Sequence, residues 1–148
     1  ILQDARLETD LLAVNEVRDL TPYHGIVLGS AVYMGQWRKN AATFLKKYQN
    51  QLSSLDVWLF SSGPTGEGEP SQILDGWTFP ESLKPIAEQI RPHQTALFHG
   101  QLDRERLNLI EKFAVDRVKA PVGDFRDWEQ ITQWARSIAD YLNKSESG

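Results

Sequence analysis

The run Gly25 to Arg38, GIVLGSAVYMGQWR, constrains this chain more than any other stretch. Ile26, Val27 and Leu28 are consecutive apolar residues, as required of a strand covered on both faces, and parallel sheets flanked by helices produce such strands. Val57-Trp58-Leu59-Phe60 repeats the pattern. Between them, Ala41, Phe44, Leu45, Tyr48 and Leu52 recur at helical spacing, which predicts an amphipathic helix from about Arg38 to Ser53-Ser54. Strand, helix and strand in that order specify an α/β chain with a parallel sheet. The first apolar run is expected to break at Gly29-Ser30 and to lead through two exposed aromatics, Tyr33 and Trp37, into the helix. Open α/β sheets bind ligands at the carboxyl ends of their strands, and aromatic rings there can stack on a flat ligand.

The remaining pattern extends the same design. Leu7, Thr9 and Leu11 alternate with acidic residues before Leu12-Ala13-Val14, predicting an outer strand within Leu7 to Val14. The segment from Gly63 to Pro80 is long for a compact domain, the mark of a functional or mobile loop. Glu81 to Ile90 reads as a short helix with Pro85 in its first turn, and Thr95 to Phe98 as the last strand of the sheet. Asp103 is positioned to cap a helix carrying Leu107, Ile110, Ala114 and Val118. Asp127, with Gln130 three residues on, starts a final helix whose stripe is Trp128, Ile131, Trp134, Ala135, Ile138 and Leu142. Strands near Leu11, Leu28, Leu59 and Leu97 are thus expected in one sheet with helices on both faces.

Composition narrows the chemistry. The 148 residues suit a single domain, residues 1–148. A net charge of -4 with interspersed signs gives no basic footprint for nucleic acid and no block of cations for an anionic membrane. There is no cysteine, which excludes disulfides, thiol catalysis and cysteine-held metal clusters, and leaves redox chemistry to a bound cofactor. No apolar run reaches the length of a membrane span, so an integral membrane segment is not expected and a cytoplasmic location is. His24, His93 and His99 lie apart, without carboxylates at ligand spacing, so no metal site is expected. Ser62 lacks the GxSxG setting of a hydrolase nucleophile. Asp124, Arg126 and Asp127 in GDFRDW read as residues that hold the last helix, and no catalytic residue is assigned.

Three stretches, GSAVYMGQWR, VWLFSSGPTGEG and APVGDFRDW, resemble the flavodoxin-like family that includes menaquinone-dependent protoporphyrinogen dehydrogenases and small flavodoxin-domain proteins. The resemblance covers nearly the whole chain. It implies a doubly wound, three-layer α/β fold with strand order 2-1-3-4-5, and FMN as cofactor. Ile1-Leu2-Gln3-Asp4 matches the end of the family's first helix, so the first strand and the phosphate-binding loop are expected to be absent from the sequence given. Flavin contacts then fall on Ser30, Ala31, Val32, Tyr33, Met34, Gly35 and Trp37, and on Ser61, Ser62, Gly63, Pro64, Thr65 and Gly66. The second group is expected to meet the neutral ring edge, because Glu67 and Glu69 repel a phosphate dianion. Implied partners are a redox protein or a quinone, with a homodimer possible. The function implied is electron or hydride transfer, including quinone-linked protoporphyrinogen oxidation; a cofactor-free interaction domain on the same fold stays open as the alternative.

Overall fold

The computed structural model describes residues 1–146; residues 147 and 148, included in the single-domain expectation, lie outside the described residues. Its centre is a sheet in the order β2-β1-β3-β4, built from β1 (Gly25–Tyr33), β2 (Gln36–Trp37), β3 (Asp56–Ser62) and β4 (Gln94–Phe98). β1, β3 and β4 are parallel, with Leu28 opposite Leu59 and Ser61 opposite Leu97, while β2 folds back antiparallel on the end of β1. The chain is therefore α/β with a mostly parallel central sheet.

β3, at the centre of the sheet, is apolar on both faces because both are covered. Leu28, Val57 and Leu59 join Phe44, Leu45 and Leu52 of α1 (Lys39–Leu52) and Ile90 of α3 (Lys84–Ile90) in one buried cluster. On the other face Phe60 and Phe98 meet Trp134 of α5 (Trp128–Glu146) edge to face, with ring centroids 5.7 and 5.4 Å away. All five residues of the α1 stripe are buried, as its spacing predicts. Pro85 lies in the first turn of α3, where its missing N–H costs nothing. A 3-10 turn, Glu81–Leu83, precedes it.

Four expectations are corrected. The first concerns Leu7 to Val14, which is not a strand, and whose Leu11 is 97% exposed. A cleft of about 570 Å³, lined by Leu7, Leu11, Leu20, Leu28, Phe44 and Leu142, separates this segment from β1, so its backbone has no partner at ladder distance. It is held instead by side chains, including Tyr23 Oη donating to Asp10 at 2.7 Å; that bond holds the Tyr23 phenol above its usual range. The backbone of β1 facing the cleft has no ladder partner before Val32 among the described residues.

The second correction is at Gly29-Ser30, where β1 continues to Tyr33 without a break. Gly29 is a packing glycine, since a β-carbon there would lie 2.0 Å from the Phe60 ring. The turn comes later. Met34 and Gly35 both take positive φ, 49° and 70°, closing a two-residue hairpin between β1 and β2 before α1 begins.

Third, Gly63 to Pro80 is not irregular throughout. It contains the helical turn α2 (Pro70–Ile73), and Phe79 and Pro80 are buried.

The fourth correction is the region after β4. Asp103 caps only a 3-10 turn, Arg104–Arg106, by accepting from Glu105 N. The helix proper, α4 (Leu109–Val118), starts from a capping box in which Asn108 accepts from Glu111 N at 2.9 Å and Glu111 from Asn108 N at 3.1 Å. The expected stripe is wrong too: Ile110 and Val118 are exposed and Val115 is buried. A two-strand antiparallel pair, β5 (Gln101–Leu102) with β6 (Gly123–Asp124), closes the base of this excursion.

Candidate functional site

The carboxyl ends of β1, β3 and β4 bring together the two stretches singled out by sequence, with His99 and Gly100 beside them. Contact between the stretches is close. A β-carbon on Gly63 would lie 2.8 Å from Val32 Cβ, so glycine lets the second loop seat against the hairpin. Gly100 is equally constrained, its β-carbon position being 3.1 Å from the Gly63 carbonyl oxygen.

Several expected site residues prove to be the frame of the site. Trp37 is 5% exposed, contrary to the exposure expected from sequence; it packs edge-on to Phe79 at 5.1 Å and its Nε1 donates to Ser61 Oγ at 2.8 Å. Ser61 is wholly buried by that bond. Ser30 is also buried, accepting from Arg38 N at 2.9 Å and so tying the hairpin to the start of α1. Pro64 is buried, and its carbonyl accepts from Gly100 N at 2.9 Å. Thr65 is buried as well, at 9% exposure.

The accessible residues form a smaller group. Ala31 and Met34 are exposed, while Val32, Tyr33, Gly35, Ser62, Gly63 and Gly66 are half-buried. The Tyr33 hydroxyl has no hydrogen-bond partner among the described residues. Neither do the backbone N–H groups of Thr65, Gly66 and Glu67, whereas Gly63 N is used by Phe98 O and Ser62 Oγ by His99 O. The hairpin that carries Tyr33 meets the second loop at Val32 and Gly63, and a half-buried aromatic together with unengaged backbone donors on the adjoining loop is a set that fits a flat ring with a carbonyl-bearing edge, such as a flavin's. Gly66, at φ 120°, bends the row as other residues would do only with strain.

Three residues to which the sequence assigned no role at this site shape it. His99 lies with Nδ1 3.2 Å from Pro64 O and Nε2 2.7 Å from Gly68 O, bridging both ends of the loop. Trp77 flanks the hairpin turn, its Nε1 3.6 Å from the β-carbon position of Gly35. Glu111 reaches across from α4 to Arg38 Nη1 at 3.0 Å, and that hydrogen bond holds its carboxyl below the usual range. Only an aromatic inside a long loop and a histidine at a strand end signalled the first two, while Glu111 was readable as the third residue after Asn108 in a capping box. Nearby, Arg126 forms a fork onto Asp124, Nε to Oδ1 at 2.8 Å and Nη2 to Oδ2 at 2.6 Å, which drives the Asp124 carboxyl down to about 2. GDFRDW thus acts as a structural staple: Asp127 caps α5 by accepting from Gln130 N at 3.0 Å, and the Arg126 guanidinium lies over Trp128.

The protoporphyrinogen IX dehydrogenase (quinone) of Escherichia coli K12 is 20% identical over 154 residues, covering 97% of this chain and 84% of that protein. The proteins of the same name from E. coli O6:H1 and O157:H7 match to the same extent. No solved structure matches. The family described as flavodoxin domain matches residues 1–128, and on that span, with the parallel sheet and paired loops found here, the chain belongs to the flavodoxin domain family.

Proposed function

We propose that the chain, as one domain over residues 1–148, binds FMN noncovalently at the carboxyl end of its sheet and passes electrons or hydride equivalents between that flavin and a partner in the cytoplasm. Family membership supports a flavodoxin-like redox role. The observation that carries the finer reading is the juxtaposition of Tyr33 with the unengaged N–H groups of Thr65, Gly66 and Glu67 at the ends of two adjacent parallel strands. Bound there, the flavin supplies the redox chemistry. The residues supply its setting: Tyr33 offers a face for stacking, the loop N–H groups orient the polar ring edge, and Gly63 and Gly100 let the two loops close up against each other. The similarity to quinone-linked protoporphyrinogen dehydrogenases supports a quinone as acceptor and protoporphyrinogen as a donor to try first.

Glu67 and Glu69 are exposed on the same loop, where carboxylates oppose the negative charge that reduction adds to the ring. Replacing both with glutamine raises the flavin midpoint potential, read by redox titration of the reconstituted protein. An unchanged potential together with flavin affinity insensitive to Tyr33 would move the flavin elsewhere; a protein that binds no flavin would leave the fold as an interaction domain.

A further inference from the structure

We propose that the exposed face of α4 docks this protein on an anionic lipid bilayer. Leu109, Ile110 and Phe113 are 84, 79 and 67% exposed, and at about 100° per residue they fall on one side of the helix. Large apolar residues clustered in this way on an ordered helix mark an interaction surface. The charges around them are selective. Glu111 is paired with Arg38, Asp116 with Arg104 at 2.8 Å, and Asp103 with Arg106 at 3.3 Å. Between Asp103 and Lys119 this leaves Lys112, Arg117 and Lys119 without an ionic partner among the described residues, against the single carboxylate Glu105. No run of consecutive cations announces the patch in the sequence. The fold creates it by engaging the carboxylates.

An apolar helix face rimmed by free cations complements an anionic interface, where the apolar residues enter the headgroup boundary and the cations meet phosphates. A second copy is the poorer occupant, because its identical patch offers Glu105 as the one carboxylate without an ionic partner, among the described residues, to meet three unpaired cations. Position adds purpose. The Arg38 to Glu111 bridge joins α4 to the site hairpin, and Pro121 Cγ lies 3.5 Å from the β-carbon position of Gly66. A docked α4 therefore brings the two loops to the surface in which an apolar quinone dissolves; this purpose, though not the docking, rests on the function proposed above.

The test is co-sedimentation of the full chain with vesicles of phosphatidylcholine alone or mixed with phosphatidylglycerol, without flavin. Expected is binding to the mixed vesicles at low salt, lost at high salt and reduced roughly a hundredfold in Lys112→Gln/Arg117→Gln/Lys119→Asn, at about fivefold per cation. Leu109→Ser/Ile110→Ser/Phe113→Ser abolishes it, with circular dichroism confirming the fold. Phe113→Trp, which removes no apolar area, gives a blue-shifted emission quenched by brominated lipid. Absence of binding to mixed vesicles, or binding unaffected by the serine variant, overturns the proposal. So does a concentration-dependent dimer that the serine variant dissociates, with no vesicle binding, which would give the face to a second copy. Flavin binding without vesicle binding sinks this inference alone, and vesicle binding without flavin binding sinks only the function.

Discussion

α1 and α4 are both helices with apolar residues at helical spacing, yet the sheet buries the stripe of one and leaves the other's largest apolar residues in solvent. α1 crosses between two parallel strands, so its position over the sheet is imposed by the strands at both its ends. α4 has no such constraint. It stands on the two-residue pair β5 and β6 and is tied to the body by the Arg38 to Glu111 bridge and the Val115 side chain. Periodicity states that a helix has an apolar face; only the connections state what that face meets.

The largest effect expected from this contrast is on stability. Leu45→Ala, in the wholly buried centre of α1, costs about 3 to 4 kcal/mol, whereas Phe113→Ala on α4 costs about 0.5 kcal/mol or less. Urea denaturation of the two variants checks both values, and equal losses would break the comparison. Gly29→Ala follows, at about 2 kcal/mol of overpacking against the Phe60 ring, recovered in part by adding Phe60→Leu. No recovery in the double mutant would show that Gly29 serves the backbone and not the ring.

The hairpin itself divides in the same way, into frame and accessible surface. Trp37→Phe leaves the buried Ser61 hydroxyl without its indole partner and costs about 1 to 2 kcal/mol, while Tyr33→Phe, whose hydroxyl has no partner, stays within about 0.5 kcal/mol. The smallest effect is local and acid-dependent. The Asp124 carboxyl is held at about 2, below its ordinary 3.8, so the stability it contributes is complete above about pH 4 and lost as pH falls toward 2. Because Asp124 lies in β6, hydrogen exchange after acidification rises first in the α4 excursion, and Asp124→Asn removes that pH dependence.

These contrasts show what was legible in the sequence. The parallel sheet, the α1 stripe, the Pro85 position and the Asp127 cap follow from short-range rules that the structure obeys. The Leu7 to Val14 strand could not follow from them, since alternation records a face and says nothing of whether a neighbour lies beside the backbone. Gly29 illustrates the same limit. A glycine after an apolar run reads as a turn, but its cause here is a ring from β3 that no local pattern contains. The structure brings together at the strand ends both stretches that the sequence singled out, but which of their residues are buried could not be read from it. Whether a serine hydroxyl faces a ligand or an indole 24 residues away depends on packing between elements, which is why Ser30, Ser61 and Trp37 emerge as buried frame, while His99, weighed only as a metal ligand, and Trp77 were given no place beside the loops.

Whether the accessible half of these loops holds a flavin ring is decided by fluorescence titration of FMN with the full chain and with Tyr33→Ala. Saturable quenching is expected, weakened by about 0.5 to 1.5 kcal/mol in Tyr33→Ala through lost stacking. Saturable quenching of equal affinity in both proteins, or no quenching in either, would contradict it.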